Sequence, residues 1–173
     1  MFKYIFVLIL LSSTSVLQAR GVYQHPDAFL DDVFNGEVPK PKFVWFTGET
    51  GKQATSILKH KPASLRTRYW SIGKRSAWIL EEIGKEKFIT TGIVINDNQI
   101  EKVKVLIFRE SRGWEIKRNE FTQQFTNATL TSEGNLSKRI DGISGATLSV
   151  KAVTRLSHLA LYLHSIVVKP DGN

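Results

Sequence analysis

From Leu148 onward the apolar residues Val150, Val153, Leu156, Leu159, Ala160, Leu163 and Ile166 recur at spacings of three and four. That period lines one face of a helix, so a closing amphipathic helix of about five turns is predicted, laid over the rest of the fold. Upstream, β-branched and aromatic residues dominate short runs broken by turn residues. "TRYWSI" and "AWILEEI", separated by Gly73-Lys74-Arg75, read as one hairpin, and "KFITTGIVIN" and "IEKVKVLIFRE", joined by Asp97-Asn98, as another. Val103, Val105 and Ile107 alternate with Lys102, Lys104 and Leu106, which predicts one buried strand face. The four segments make an antiparallel meander.

The flanking segments are less regular. "PDAFLDDVF" (26–34) predicts a short helix with Phe29, Leu30 and Val33 inward; Asp27 and Asp31 share a face but have no histidine or further acid near them, so they read as a dipole-favoured helix start. "GEVPKPKF" reads as a linker, Gly51 to Leu58 as a second short helix stopped by "KHKPAS", and Ile116 to Phe125 as a third helical stretch ahead of a polar loop. A sheet with helices packed on it is an α+β domain. The expected division is a leader at 1–19, an N-terminal extension with short helices at 20–64, and the domain itself at 65–173.

The leader rests on its own pattern. Met1 and Lys3 precede an apolar run from Tyr4 to Leu11, then Ser12-Ser13-Thr14-Ser15 and Val16-Leu17-Gln18-Ala19: a charged start, an apolar middle and a small-residue end, the form of a secretory signal peptide. A spanning helix needs roughly 20 apolar residues, more than this run offers. Cleavage after Ala19 and a periplasmic mature protein are expected, with retention as an anchor the alternative.

Charge and cysteine content narrow the chemistry. The chain carries 24 Lys and Arg against 16 Asp and Glu, a net charge of +8, and no cysteine. Thiol catalysis, disulfides, iron–sulfur clusters and Cys-ligated zinc are excluded, so any redox chemistry must come from a bound cofactor. His158 and His164 stand six apart, off a common helix face, and no metal site is expected. Lys59, Lys61, Arg66, Arg68, Lys74 and Arg75, interleaved with Tyr69, Trp70 and Trp78, look superficially like a nucleic-acid strip. In an exported protein that partner is not expected; an acidic partner protein or peripheral contact with an anionic membrane is the better use. An ordinary solvated sheet face is the plainer alternative.

The segment Asp141-Gly142-Ile143-Ser144-Gly145-Ala146-Thr147 joins the polar loop to the closing helix. Gly145 allows a tight turn, and Thr147 stands where the unpaired amides of a first helical turn favour an anion such as phosphate. On these grounds alone, a turn before an N-capped helix is the better reading. The run resembles the flavinylation motif of the FMN-binding domain family, Asp-x-x-Ser/Thr-Gly-Ala-Thr/Ser, known from the C subunit of the sodium-translocating NADH:quinone reductase and the G subunit of the Rnf electron-transport complex. The resemblance covers roughly Phe88 to Ile166. It implies FMN esterified through its phosphate to Thr147, with Asp141, Ser144, Gly145 and Ala146 around it. It also matches Glu110-Ser111-Arg112-Gly113 to a Glu-Thr-x-Gly-like turn of the family, which makes Glu110, Ser111 and Gly113 flavin-pocket residues. Trp114, next to that turn, could pack on the isoalloxazine ring or belong to the core. Asp141 would assist flavin transfer or merely form an Asp-Gly turn.

The resemblance further implies a separate flavin transferase that uses FAD and a divalent metal, because a threonine hydroxyl is a poor nucleophile unassisted. The expected protein is an exported electron-transfer flavoprotein that passes electrons to or from a cytochrome or a membrane reductase, the flavin doing the redox work. Two alternatives stay open: an extracytoplasmic flavin-dependent reductase of a small substrate, and a flavin-free module that binds anionic lipid or polysaccharide through the basic strip.

Overall fold

The computed structural model describes residues 21–168; the expected signal at 1–19 lies outside them. Five antiparallel strands run in chain order across one sheet: β1 (Lys42–Trp45), β2 (Arg66–Ile72), β3 (Arg75–Ile83), β4 (Phe88–Asn96) and β5 (Gln99–Phe108). The helices are α1 (Pro26–Phe34), α2 (Gly48–Leu58), α3 (Asn119–Thr122) and α4 (Thr147–Val167). The α+β class and the β2 to β5 meander match expectation. Asp97 and Asn98, with φ of 49° and 62°, make the tight turn that two-residue hairpins favour.

One strand was missed. Two prolines gave "GEVPKPKF" the look of a linker, yet its last two residues open β1, where Phe43 pairs with Arg68 and Trp45 with Arg66. Residues 22–64 thus supply a strand and two helices to the same sheet. The predicted helix from Ile116 to Phe125 is instead three short pieces, 3-10 turns at Trp114–Lys117 and Gln123–Phe125 flanking α3.

Both sheet faces are covered, unequally. On one, α4 crosses β3 to β5 and α2 packs beside it, burying Trp78, Ile93, Val103, Val105, Leu156 and Leu163. Each such aliphatic side chain contributes about 2 kcal/mol of burial. On the other face α1 sets Phe29, Leu30 and Val33 against Trp70, Ala77, Val94 and Leu106. Its seat is Gly92 on β4, where a Cβ would come within 2.6 Å of the Phe29 ring. The strand alternation predicted for β5 also breaks. Thr90 pairs with Ile107 but Thr91 with Val105, so Leu106 is an extra residue in a bulge that moves Ile107 to the α1 face, away from Val103 and Val105.

The outer edge of β5 is held at both ends by the chain itself. Gly21 and Tyr23 bond to Phe108 and Leu106, and Asn127 and Ala128 bond to Ile100. Inside the α4 face a polar chain crosses the core. The Trp78 indole N–H donates to Ser76 Oγ at 2.8 Å, and the Ser76 hydroxyl shares a hydrogen bond of 2.7 Å with His164 Nδ1. His164 is buried, its Nε2 has no partner, and burial lowers its pKa to about 4. His60 is tied at both ring nitrogens: Nδ1 lies 2.9 Å from the Lys61 carbonyl oxygen and Nε2 2.9 Å from the buried Glu82 carboxylate. The Lys61 carbonyl raises its pKa, helped by Glu82 and opposed by burial and the charge of Arg155.

Candidate functional site

Two loops far apart in the chain meet at the start of α4. One leaves β5 through Arg109 to Gly113; the other runs from Asp141 to Ala146 into the helix. Gly113 has φ of 85°, which a side chain resists, and its back lies against the second loop. A Cβ there would stand 3.1 Å from Ala146 Cβ and 3.2 Å from Ser149 Oγ. From the other side, a Cβ on Gly84, in the turn between β3 and β4, would stand 2.9 Å from Glu110 Oε1 and 3.4 Å from the same Ser149 hydroxyl. The buried Ser149 hydroxyl therefore sits between two glycines that let three loops close on it.

Glu110 fixes the third loop. Its Oε1 accepts the backbone N–H groups of Lys85, Glu86 and Lys87 at 2.6, 2.7 and 2.9 Å. Burial alone would raise its pKa, but the three N–H bonds and the charge of Lys85 together hold it below the ordinary value. Glu110 thus has a structural task, tying the β3–β4 turn to the end of β5, whatever else it touches.

In the second loop, the Asp141 N–H donates to Gln124 Oε1 at 2.7 Å, and the Ala146 N–H to the Ile143 carbonyl at 3.0 Å. Gly145 takes φ of 78°, and nothing lies within 4 Å of where its Cβ would be. The conformation calls for glycine here, while the space beside it stays open. Ala146 is buried, and Thr147 opens α4 with its residue exposed. No side chain caps this helix. Its first-turn amides and the positive end of its dipole therefore keep their affinity for an anion, with the exposed Ser144 and Thr147 hydroxyls nearby in the chain.

The expected residues are gathered to different degrees. Gly113, Ala146 and Glu110 converge through Ser149 and Gly84. Asp141, Ser144 and Ser111 are exposed loop residues. Trp114 is not core: it is 43% exposed, with the Arg118 guanidinium 4.7 Å and the Lys117 ammonium 5.5 Å from its ring centre. Sequence reasoning missed Ser149 and Gly84. Ser149 left one signal, a hydroxyl three residues after Ala146 on the buried side of an otherwise apolar helix. Gly84 left none.

The model of the FMN-binding domain matches residues 84–162, a range that holds both loops, the β3–β4 turn and most of α4. In fold, the chain is similar to the C subunit of the Na(+)-translocating NADH-quinone reductase from Parabacteroides distasonis ATCC 8503, with a TM-score of 0.53 and 14% sequence identity over 89% of each chain. No curated protein matches the chain.

Proposed function

Residues 84–162 belong to the FMN-binding domain family, and from that premise we propose that this domain holds FMN in phosphoester linkage to Thr147 and serves as an electron carrier. The observation that carries the proposal is an exposed threonine at the first residue of an uncapped 21-residue helix, just after the open turn at Gly145. A phosphate suits such a helix start in charge and in donors. Ala146 and Gly113 back the position from inside, and Glu110 holds the adjoining turn.

FMN, when bound, supplies one- and two-electron transfer, and the protein supplies attachment, orientation and electrostatic tuning. Linkage is the work of a flavin transferase. The Thr147 hydroxyl oxygen bonds to the FMN phosphorus of FAD, the pyrophosphate P–O bond breaks, AMP leaves, and the hydroxyl proton passes to a base. Asp141, exposed at the head of the loop, offers a carboxylate for that encounter. Export through residues 1–19 is part of the proposal, and covalent attachment suits it, because a flavin that could dissociate would be lost outside the cytoplasm. Electrons then pass between a membrane reductase and a second carrier such as a cytochrome, with no substrate bound by this protein itself.

The test is the intact mass of the protein under denaturing conditions, purified from cells that also make a flavin transferase. One FMN is expected on the wild type and on Thr147→Ser, and none on Thr147→Ala. An unmodified wild type beside an active transferase would overturn the proposal. The N-terminal residue of the same sample is expected to be Arg20.

A further inference from the structure

The strip read from the sequence is rearranged by the fold. Tyr69 and Trp78 are stacked in the core, Arg75 is paired with Glu101, and Lys74 with Asp97. Arg66 and Arg68 remain on β2, and the exposed aromatic residues beside them come from β1. Phe43 is opposite Arg68 and Trp45 opposite Arg66, so the four side chains share the α1 face of the sheet, beyond the reach of α1. The Arg66 guanidinium lies 4.3 Å from the Phe43 ring centre and 5.1 Å from that of Trp45, and Arg68 lies 5.7 Å from that of Trp70.

This patch is unusual in what it leaves exposed. Phe43 and Trp45 are 44% and 51% exposed. Among the described residues no carboxylate comes within 4.0 Å of Arg66 or Arg68. The nearest acids along β3 are engaged elsewhere, Glu81 with Thr90 and Arg109, Glu82 with His60 and the Ile83 N–H. Phe43, Arg66 and Arg68 line one end of a groove of about 1000 Å³ that continues over Trp70, Ile79 and Phe88, with Asp27 and Glu81 also on its wall.

We propose that this sheet edge docks the protein on an anionic lipid surface. Arginines already resting on aromatic rings lose little when they leave bulk water, and anionic headgroups would supply the counter-charges that the protein does not. Trp and Phe side chains favour the headgroup level of a bilayer, and a fluid surface accommodates Phe43 and Trp45 without a matching shape. An acidic protein would satisfy the arginines but would need a fitted recess for the two exposed aromatic side chains. The proposal does not depend on flavin at Thr147.

The test is co-sedimentation of the full chain, in the form the cell leaves it, with vesicles of phosphatidylcholine alone or mixed with phosphatidylglycerol. Binding is expected to the mixed vesicles only, to weaken with salt, and to fall at least tenfold in Arg66→Gln/Arg68→Gln, as expected for two basic residues removed from an anionic surface. Arg66→Lys/Arg68→Lys should retain most of it, which separates charge from folding. Tryptophan emission should shift to the blue on mixed vesicles and lose most of that shift in Trp45→Phe. Thr147→Ala should bind as the wild type does, so failure of the flavin proposal and of this one are distinct results. Equal binding by wild type and the Gln pair, binding to phosphatidylcholine alone, or binding to neither would each overturn the proposal.

Discussion

Gly113 and Ala146, 33 positions apart in sequence, lie so close that a Cβ on the glycine would stand 3.1 Å from the alanine methyl. The contact presses the loop after β5 against the start of α4 and fixes where Thr147 emerges.

Gly113→Ala should therefore act twice. The positive φ and the added methyl together are expected to cost about 1–3 kcal/mol, and the start of α4 should shift. Thermal unfolding of the unflavinylated protein reads the first effect; the fraction carrying FMN after exposure to transferase reads the second. A variant as stable and as fully modified as wild type would show that the contact is slack.

Glu110→Ala removes the acceptor of three backbone N–H groups and should destabilise the domain by about 1–3 kcal/mol. The folded carboxyl has a pKa below its ordinary 4.5. Its contribution is accordingly present above that value and fades as pH falls through the lower, folded one. Urea unfolding of wild type and variant should converge in acid and separate above it.

His164 works at higher pH. The unfolded imidazole takes up its proton near 6.5, the buried one only near 4. Protons favour the unfolded chain between those values, so the full stability is present above pH 6.5 and declines by about 3 kcal/mol as pH falls toward 4. His164→Gln should flatten that slope in urea unfolding, although the variant begins less stable.

His60 titrates in the opposite sense. Its pKa lies above 6.5, so its bridge from the Lys61 carbonyl to Glu82 is fully formed below 6.5 and is lost as pH rises through the folded value. NMR titration of the ring should give a midpoint above 6.5 that drops in Glu82→Gln. A midpoint at or below 6.5 would mean that the bridge does not form in solution.

The strands β2 to β5 and the helices α1 and α4 were legible because each buries a face whose period the chain repeats. β1 was not: its four residues bury only Val44, and the prolines before it spoke for a linker. The bulge at Leu106 was hidden because alternation predicts faces only while pairing stays in step. At the site, the Asp141 to Thr147 motif and the Glu110 to Gly113 turn could each be read, but their meeting at Ser149 depends on how β3, β5 and α4 end together. The basic strip failed for a related reason. Residues close in sequence along β2 and β3 point to opposite faces, and the partners of Arg66 and Arg68 lay on the unread strand.

The bonds that residues 21–24 and 127–128 make to β5 bear on how copies of this chain behave when crowded. An unprotected strand end is where folded sheets polymerise, and here the chain occupies those positions on its own behalf. Stray association between copies is thereby directed to β1 at the opposite edge, a strand of only four residues and so a short template for pairing.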